Sequence, residues 1–172
     1  IPNQHINIEF TNSQDLLFIG RNEKRKNFKL YYQLSNLLKN STYSFRAITN
    51  KYIYSPNIEL FINPDDEIKN EVLKGSSIYL AVNTHGESFG ITILEAINAG
   101  CTAVCSDISA FKDLLGDSGV YFKNNNLEDL KQTVEQLDTD DIQTIYNKQK
   151  THIEKYNVDK VMPSWISLYT QI

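Results

Sequence analysis

Cysteine, methionine and tryptophan are scarce in these 172 residues, which contain two, one and one of them. Two cysteines cannot build a disulfide framework, and the C-x3-C spacing of Cys101 and Cys105 inside an apolar run is not that of a metal knuckle. They read as small core residues on a strand, in a reducing, cytoplasmic setting. No apolar run approaches the ~20 residues that span a bilayer. No charged-then-apolar leader opens the chain. Positive charge is not in excess either. The formal net charge is −4 and the pI about 5.4, which argues against a nucleic-acid partner. Internal repeats and low-complexity segments are missing. The only methionine is Met162 and the chain begins Ile1-Pro2-Asn3, so we expect an excised piece of a longer protein.

What is present suits one globular domain. Hydrophobic residues make up 41% and charged residues 22%, enough for a sizeable core. Residues 1–14 are polar and read as a linker, leaving 15–172 as the domain. Short apolar runs then alternate with helix-period segments. Strands are predicted at 15–20, 42–49, 58–62, 78–82, 101–105 and 119–122. Asn27 is expected to cap a helix whose inner face is Leu30, Tyr31, Leu34, Leu37 and Leu38. Pro64-Asp65-Asp66 starts a second helix. The next ends at Gly100, and a short one covers Ser109 to Leu115. Asn126 and Thr139 each cap a further helix. A last one, from about Asp159 to Tyr169, carries Trp165 and contains Pro163. The strands are continuously apolar rather than alternating, as strands buried on both faces are. The fold class is therefore α/β: a Rossmann-like, doubly wound parallel sheet of about six strands flanked by helices.

In such a sheet, ligands bind beyond the carboxyl ends of the strands, where the strand order reverses. The stretch Gly86-Glu87-Ser88-Phe89-Gly90-Ile91 running into Leu94-Glu95-Ala96 would lie there. It joins a glycine-flanked turn to a helix N-terminus, where free N–H groups can meet an anion. Glu95 sits among apolar neighbours and needs a hydrogen-bond donor, either a lysine that neutralises it or the vicinal hydroxyls of a ligand such as a ribose. Glu87 is either a helix-start acid favoured by the dipole or a carboxylate that touches a sugar. The loop Arg21-Asn22-Glu23-Lys24-Arg25-Lys26-Asn27 carries four cations straight after the first strand. Lys24 and Arg25 read as solvated. The others suit a diphosphate, to which Arg brings a forked donor and Lys a point charge.

Taken together, these residues resemble the retaining glycosyltransferases of family 4, which have the GT-B fold. Glu87 and Glu95 form that family's E-x7-E signature. Phe18-Ile19-Gly20-Arg21 with Lys26-Asn27 is similar to its "GR…K[GN]" loop. Ile1-Pro2-Asn3 looks like the tail of its interdomain linker, and Ala99-Gly100 to Ser106-Asp107 looks like "AGTPVVASD". Ser106-Asp107 with Ala110-Phe111 is most similar to the phosphatidylinositol mannosyltransferase-like subgroup.

The resemblance implies the C-terminal, nucleotide-sugar-binding half of a hexosyltransferase. The donor would be a GDP- or UDP-sugar and the acceptor a glycan or lipid. No metal or other cofactor is expected, and the reaction would retain anomeric configuration. It implies that Arg21 and Lys26 hold the donor diphosphate, and that N–H groups around Ser88, Phe89, Gly90 and Ile91 meet phosphate or sugar oxygens. Glu95 would bind the ribose, Pro64 would lie near the base, and Glu87 would act at the sugar as the catalytic carboxylate. An N-terminal acceptor-binding domain would be missing, leaving the isolated chain inactive. Through that domain the cytoplasmic enzyme would sit at the inner membrane face. The sequence departs from the family where Asn83 replaces the usual proline before the turn and Thr102 replaces the proline of "GTP". Two other readings stay open: a half-domain of the family 5 glucan-synthase type, and a non-catalytic nucleotide-binding or regulatory module.

Overall fold

A computed structural model describes residues 14–87 and 89–156. Six strands form one sheet: β1 (Gln14–Ile19), β2 (Tyr43–Thr49), β3 (Glu59–Ile62), β4 (Ile78–Ala81), β5 (Thr102–Ser106) and β6 (Val120–Phe122). All neighbours pair in parallel, in the order β3-β2-β1-β4-β5-β6. The order reverses between β1 and β4, as in a Rossmann-type doubly wound sheet. Among the described residues, six α-helices connect the strands and follow β6: α1 (Phe28–Leu37), α2 (Asp66–Lys74), α3 (Ile91–Ala99), α4 (Ser109–Leu115), α5 (Leu127–Glu135) and α6 (Thr139–Ile153).

The continuous apolar runs have the cause inferred for them. Leu16, Phe18, Ile78, Leu80 and Val104 point into one core with α1 and α5. Leu17, Tyr79, Ala81, Ala103 and Cys105 point into the other with α2, α3 and α4. The central strands are therefore covered on both faces. Tyr31 of α1 adds a polar tie. Its hydroxyl lies 2.7 Å from the Leu16 carbonyl and 2.8 Å from the Arg46 carbonyl, bridging β1 and β2.

Several local expectations change. Leu37 is 53% exposed, because the buried stripe of α1 winds through Phe28, Tyr31, Leu34 and Ser35 and leaves Leu37 at its rim. Asn27 stands at the N-cap position of α1, but its side chain makes no capping hydrogen bond. A 3₁₀ turn at Lys24–Lys26 enters the helix through a left-handed residue (φ 56°, ψ 40°), a conformation asparagine tolerates. The cap of α6 is Asp138, not Thr139. Asp138 accepts from the Asp141 N–H at 2.8 Å, and Asp141 answers towards the Asp138 N–H, a reciprocal pair that threonine one residue later could not form. Asp65 caps α2, which places Pro64 just before the cap. Asn126 caps α5 as expected, accepting from the Asp129 N–H at 2.9 Å. The expected linker apart from Gln14, and the terminal helix with Pro163 and Trp165, lie outside the described residues.

Both thiols are buried in the sheet core. Burial pushes Cys101 up to about 12 and raises Cys105 as well. Burial also raises the Tyr79 hydroxyl. The folded chain therefore keeps these groups protonated where the unfolded chain ionises them. The stability they contribute is complete below the usual thiol value of 9.0 and is lost as pH rises from there towards about 12. We expect the thermal midpoint to fall between about pH 9 and pH 11, and neither thiol to react with a maleimide at about pH 8 unless denaturant is added. A thiol that reacts in the native chain would contradict this burial.

Candidate functional site

The site grows from the reversal in strand order. The ladder between β1 and β4 comprises Leu16–Ile78 and Leu17–Tyr79, whereas β1 and β2 pair over six positions. Beyond that short ladder, the chain from β1 leaves over the α1 face and the chain from β4 leaves over the α3 face. The two departing loops are then tied to each other. The Thr84 N–H donates to the Arg25 carbonyl at 2.9 Å, and Arg25 Nη1 donates to the Gly86 carbonyl at 3.0 Å. Asn124 Nδ2 holds the same loop from the far side, donating to the Thr84 carbonyl at 2.9 Å.

Glu87 sits inside this junction. Its Oε2 accepts from Lys26 Nζ at 2.8 Å and from Asn83 Nδ2 at 2.7 Å, with Arg25 Nη1 at 4.0 Å. The Lys26 and Glu87 side chains are 15% and 18% exposed, so solvent screens the pair less than it would on an open surface. Arg25, expected to be solvated, instead joins the two loops and also pairs with Glu23 at 2.8 Å.

Glu95 has the donor its apolar neighbours called for, but it is less buried than they suggested. Ile93, Ala96 and Ile97 face the core, while the Glu95 side chain is 41% exposed. Lys69 Nζ of α2 donates to both of its oxygens at 3.0 Å. An exposed pair of this kind contributes ~0.2–1 kcal/mol to stability. It leaves lone pairs on each oxygen for a further donor.

A cavity of about 430 Å³ opens beside these pairs. It brings together Arg21, Lys26 and Pro64, three of the residues singled out from sequence, and adds Lys69, Thr92 and Asn63. Gly90 is the N-cap of α3 (φ 70°, ψ 36°), so the helix starts at Ile91 and its first N–H groups open at this edge. The exposed Phe89 side chain meets the Tyr156 ring edge-on at 5.7 Å. The Ile91 side chain is exposed. Ser88 lies outside the described residues. His85, assigned no role from sequence, bonds to its neighbour Thr84 through Nδ1 at 2.8 Å.

The pattern that defines the glycosyl transferases group 1 family matches residues 2–157. The chain belongs to that family. Within it, a phosphatidyl-myo-inositol mannosyltransferase of Mycobacterium tuberculosis is 45% identical over 56 residues, which is 33% of this chain and 15% of that protein. The corresponding enzyme of Propionibacterium freudenreichii is 47% identical over 53 residues, 31% of this chain and 14% of that one. Among solved structures, Anabaena HepE in complex with UDP superposes with a TM-score of 0.78 at 13% identity, covering 94% of this chain and 50% of HepE. TarM superposes with a TM-score of 0.76 at 18% identity, over 93% of this chain and 36% of TarM. These likenesses establish a Rossmann-like fold, the one these solved proteins share with the chain over the matched regions. The group 1 domain described here thus spans half or less of the relatives it matches. Among the described residues, no helix is long and apolar enough to cross a membrane.

Three positions that reasoning from sequence passed over belong to the site of this group 1 domain: Arg25, Lys69 and Asn83. Arg25 lay in a loop already read as basic. Asn83 was visible as a departure from the family proline. Lys69 gave no signal, because it meets Glu95 across 26 residues of chain. Gly90 is where the site is most easily broken. A Cβ there would lie 2.8 Å from Leu114 Cδ2, on a backbone that side chains rarely adopt. We expect Gly90→Ala to cost about 1–3 kcal/mol, read as a lower urea midpoint at unchanged m-value. An unchanged midpoint would show that this entry to α3 is not strained by a side chain.

Proposed function

We propose that this chain is the nucleotide-sugar-binding half of a retaining hexosyltransferase, with a GDP- or UDP-sugar as donor and a glycan or lipid as acceptor. One observation carries the reading. The cavity at the strand-order reversal gathers Arg21, Lys26 and Pro64, while the lysines that line it hold Glu87 and Glu95, the two carboxylates of the E-x7-E pattern. The relatives support it, since HepE is in complex with UDP and the mycobacterial relatives are mannosyltransferases.

In this reading Arg21 and Lys26 take the diphosphate, and the opening N–H groups of α3, at Ile91 and just before it around Phe89 and Gly90, add their dipole. Glu95 accepts from the ribose hydroxyls while Lys69 holds it in place. Pro64 borders the base, and Glu87 meets the sugar at the reacting carbon. Transfer forms a bond from the acceptor oxygen to the anomeric carbon as the bond to the diphosphate breaks. The acceptor proton leaves with the diphosphate on the same face. Cations and helix N–H groups stabilise the charge that develops on the leaving group, and this is the main contribution of this half to the rate. Acceptor recognition falls to a partner domain outside this chain, so the 172 residues alone bind donor and transfer nothing.

Calorimetry of the chain with UDP, GDP, UDP-glucose and GDP-mannose tests the proposal. One nucleoside diphosphate is expected to bind, weakly. Lys26→Ala should lower its affinity about tenfold or more while leaving nucleoside binding unchanged, and Glu95→Ala should weaken nucleoside and nucleotide alike. If none of the four ligands binds, or if both variants bind like the parent, the site is wrong and a regulatory role for the fold takes its place.

A further inference from the structure

Lys26 has two claims on it. In the ligand-free chain it holds Glu87, and in the proposed complex it turns to a diphosphate. A lysine ammonium is a mobile point charge on a flexible stem, so a denser anion draws it away. Glu87 then needs a second hold that a phosphate cannot remove.

Asn83 is that hold. It is 4% exposed and lies two residues beyond β4, ahead of the turn. Its Nδ2 donates to Glu87 Oε2 at 2.7 Å, and its backbone carbonyl accepts from the buried Ser106 hydroxyl of β5 at 2.6 Å. The amide is neutral and rooted in the sheet, so an arriving anion exerts little pull on it. The hydrogen bonds to Glu87 named here both fall on Oε2.

We propose that Asn83 is a positioning residue for Glu87: it keeps the carboxylate aimed at the donor sugar once Lys26 has moved to the diphosphate, and Ser106 anchors it from β5. The proposal rests on the reading of Glu87 as the carboxylate that meets the sugar.

The test compares Asn83→Ala, the neutral, near-isosteric Asn83→Leu and Glu87→Gln with the parent, using UDP, GDP, UDP-glucose and GDP-mannose in calorimetry. Thermal midpoints confirm that each variant folds, and Asn83→Leu keeps the side-chain volume should the alanine variant fail to. Both Asn83 variants should lower nucleotide-sugar affinity about fivefold or more and leave the matching diphosphate within about twofold. A purely structural role would weaken both ligands together, and that result overturns the proposal, as does no change in either. If Glu87→Gln itself leaves nucleotide-sugar affinity unchanged, the reading of Glu87 fails and the proposal fails with it. A loss with Glu87→Gln but none with the Asn83 variants sinks the role of Asn83 alone. A second measurement is made with the diphosphate bound, when Lys26 has left Glu87. Carbon relaxation at the Glu87 side chain should then report greater motion in Asn83→Ala than in the parent, and equal order in the two would overturn the proposal.

Discussion

The short parallel ladder between β1 and β4 is the constraint on which the site depends. Backbone pairing joins the strands at Leu16–Ile78 and Leu17–Tyr79, and their continuations diverge to opposite faces of the sheet. Divergence alone would leave an open gap. The gap becomes a shaped crevice because the Thr84 N–H reaches the Arg25 carbonyl and the Arg25 guanidinium reaches the Gly86 carbonyl. Two loops of opposite charge are thereby held at hydrogen-bond distance, with Glu87 between them.

Two cations of the crevice are paired before any ligand arrives. Lys26 is paired with Glu87 and Lys69 with Glu95. Each pair is partly open to solvent, so separating it costs little compared with breaking a fully buried one. Under the proposed function a diphosphate competes for the Lys26 ammonium, and the Asn83 amide remains on Glu87. The arrangement keeps both signs of charge in place at the reversal point without disturbing the core, whose strands are covered on both faces.

Much of this was legible in the sequence. Continuous apolar strands announced a sheet buried on both sides, and the helix limits at Gly100, Asn126 and Asp65 follow from residue chemistry that acts within one turn. The failures are also local in origin. Capping preference alone could not choose between Thr139 and Asp138, because the choice depends on Asp141 closing the reciprocal pair. Asn27 was given a capping bond because its type allows one, whereas the preceding 3₁₀ turn demanded its left-handed backbone instead. Leu37 fits the helical period but reaches the rim of the core stripe.

The sequence by itself determined the class of fold, the family motifs and which residue types would meet at the sheet edge, because periodicity, caps and motif spacing are short-range properties of the chain. Only the tertiary structure decided the pairings. Arg25 joined the site rather than solvent, Lys69 became the lysine that Glu95 called for, at a partly exposed rather than a buried position, and Asn83 turned its amide on Glu87. The separations explain the difference. Lys26 and Glu87 lie 61 residues apart and Lys69 and Glu95 lie 26 apart, so their contacts arise from strand order. Asn83 and Glu87 are only four residues apart. Their contact still depends on β5, because Ser106 holds the Asn83 backbone in place.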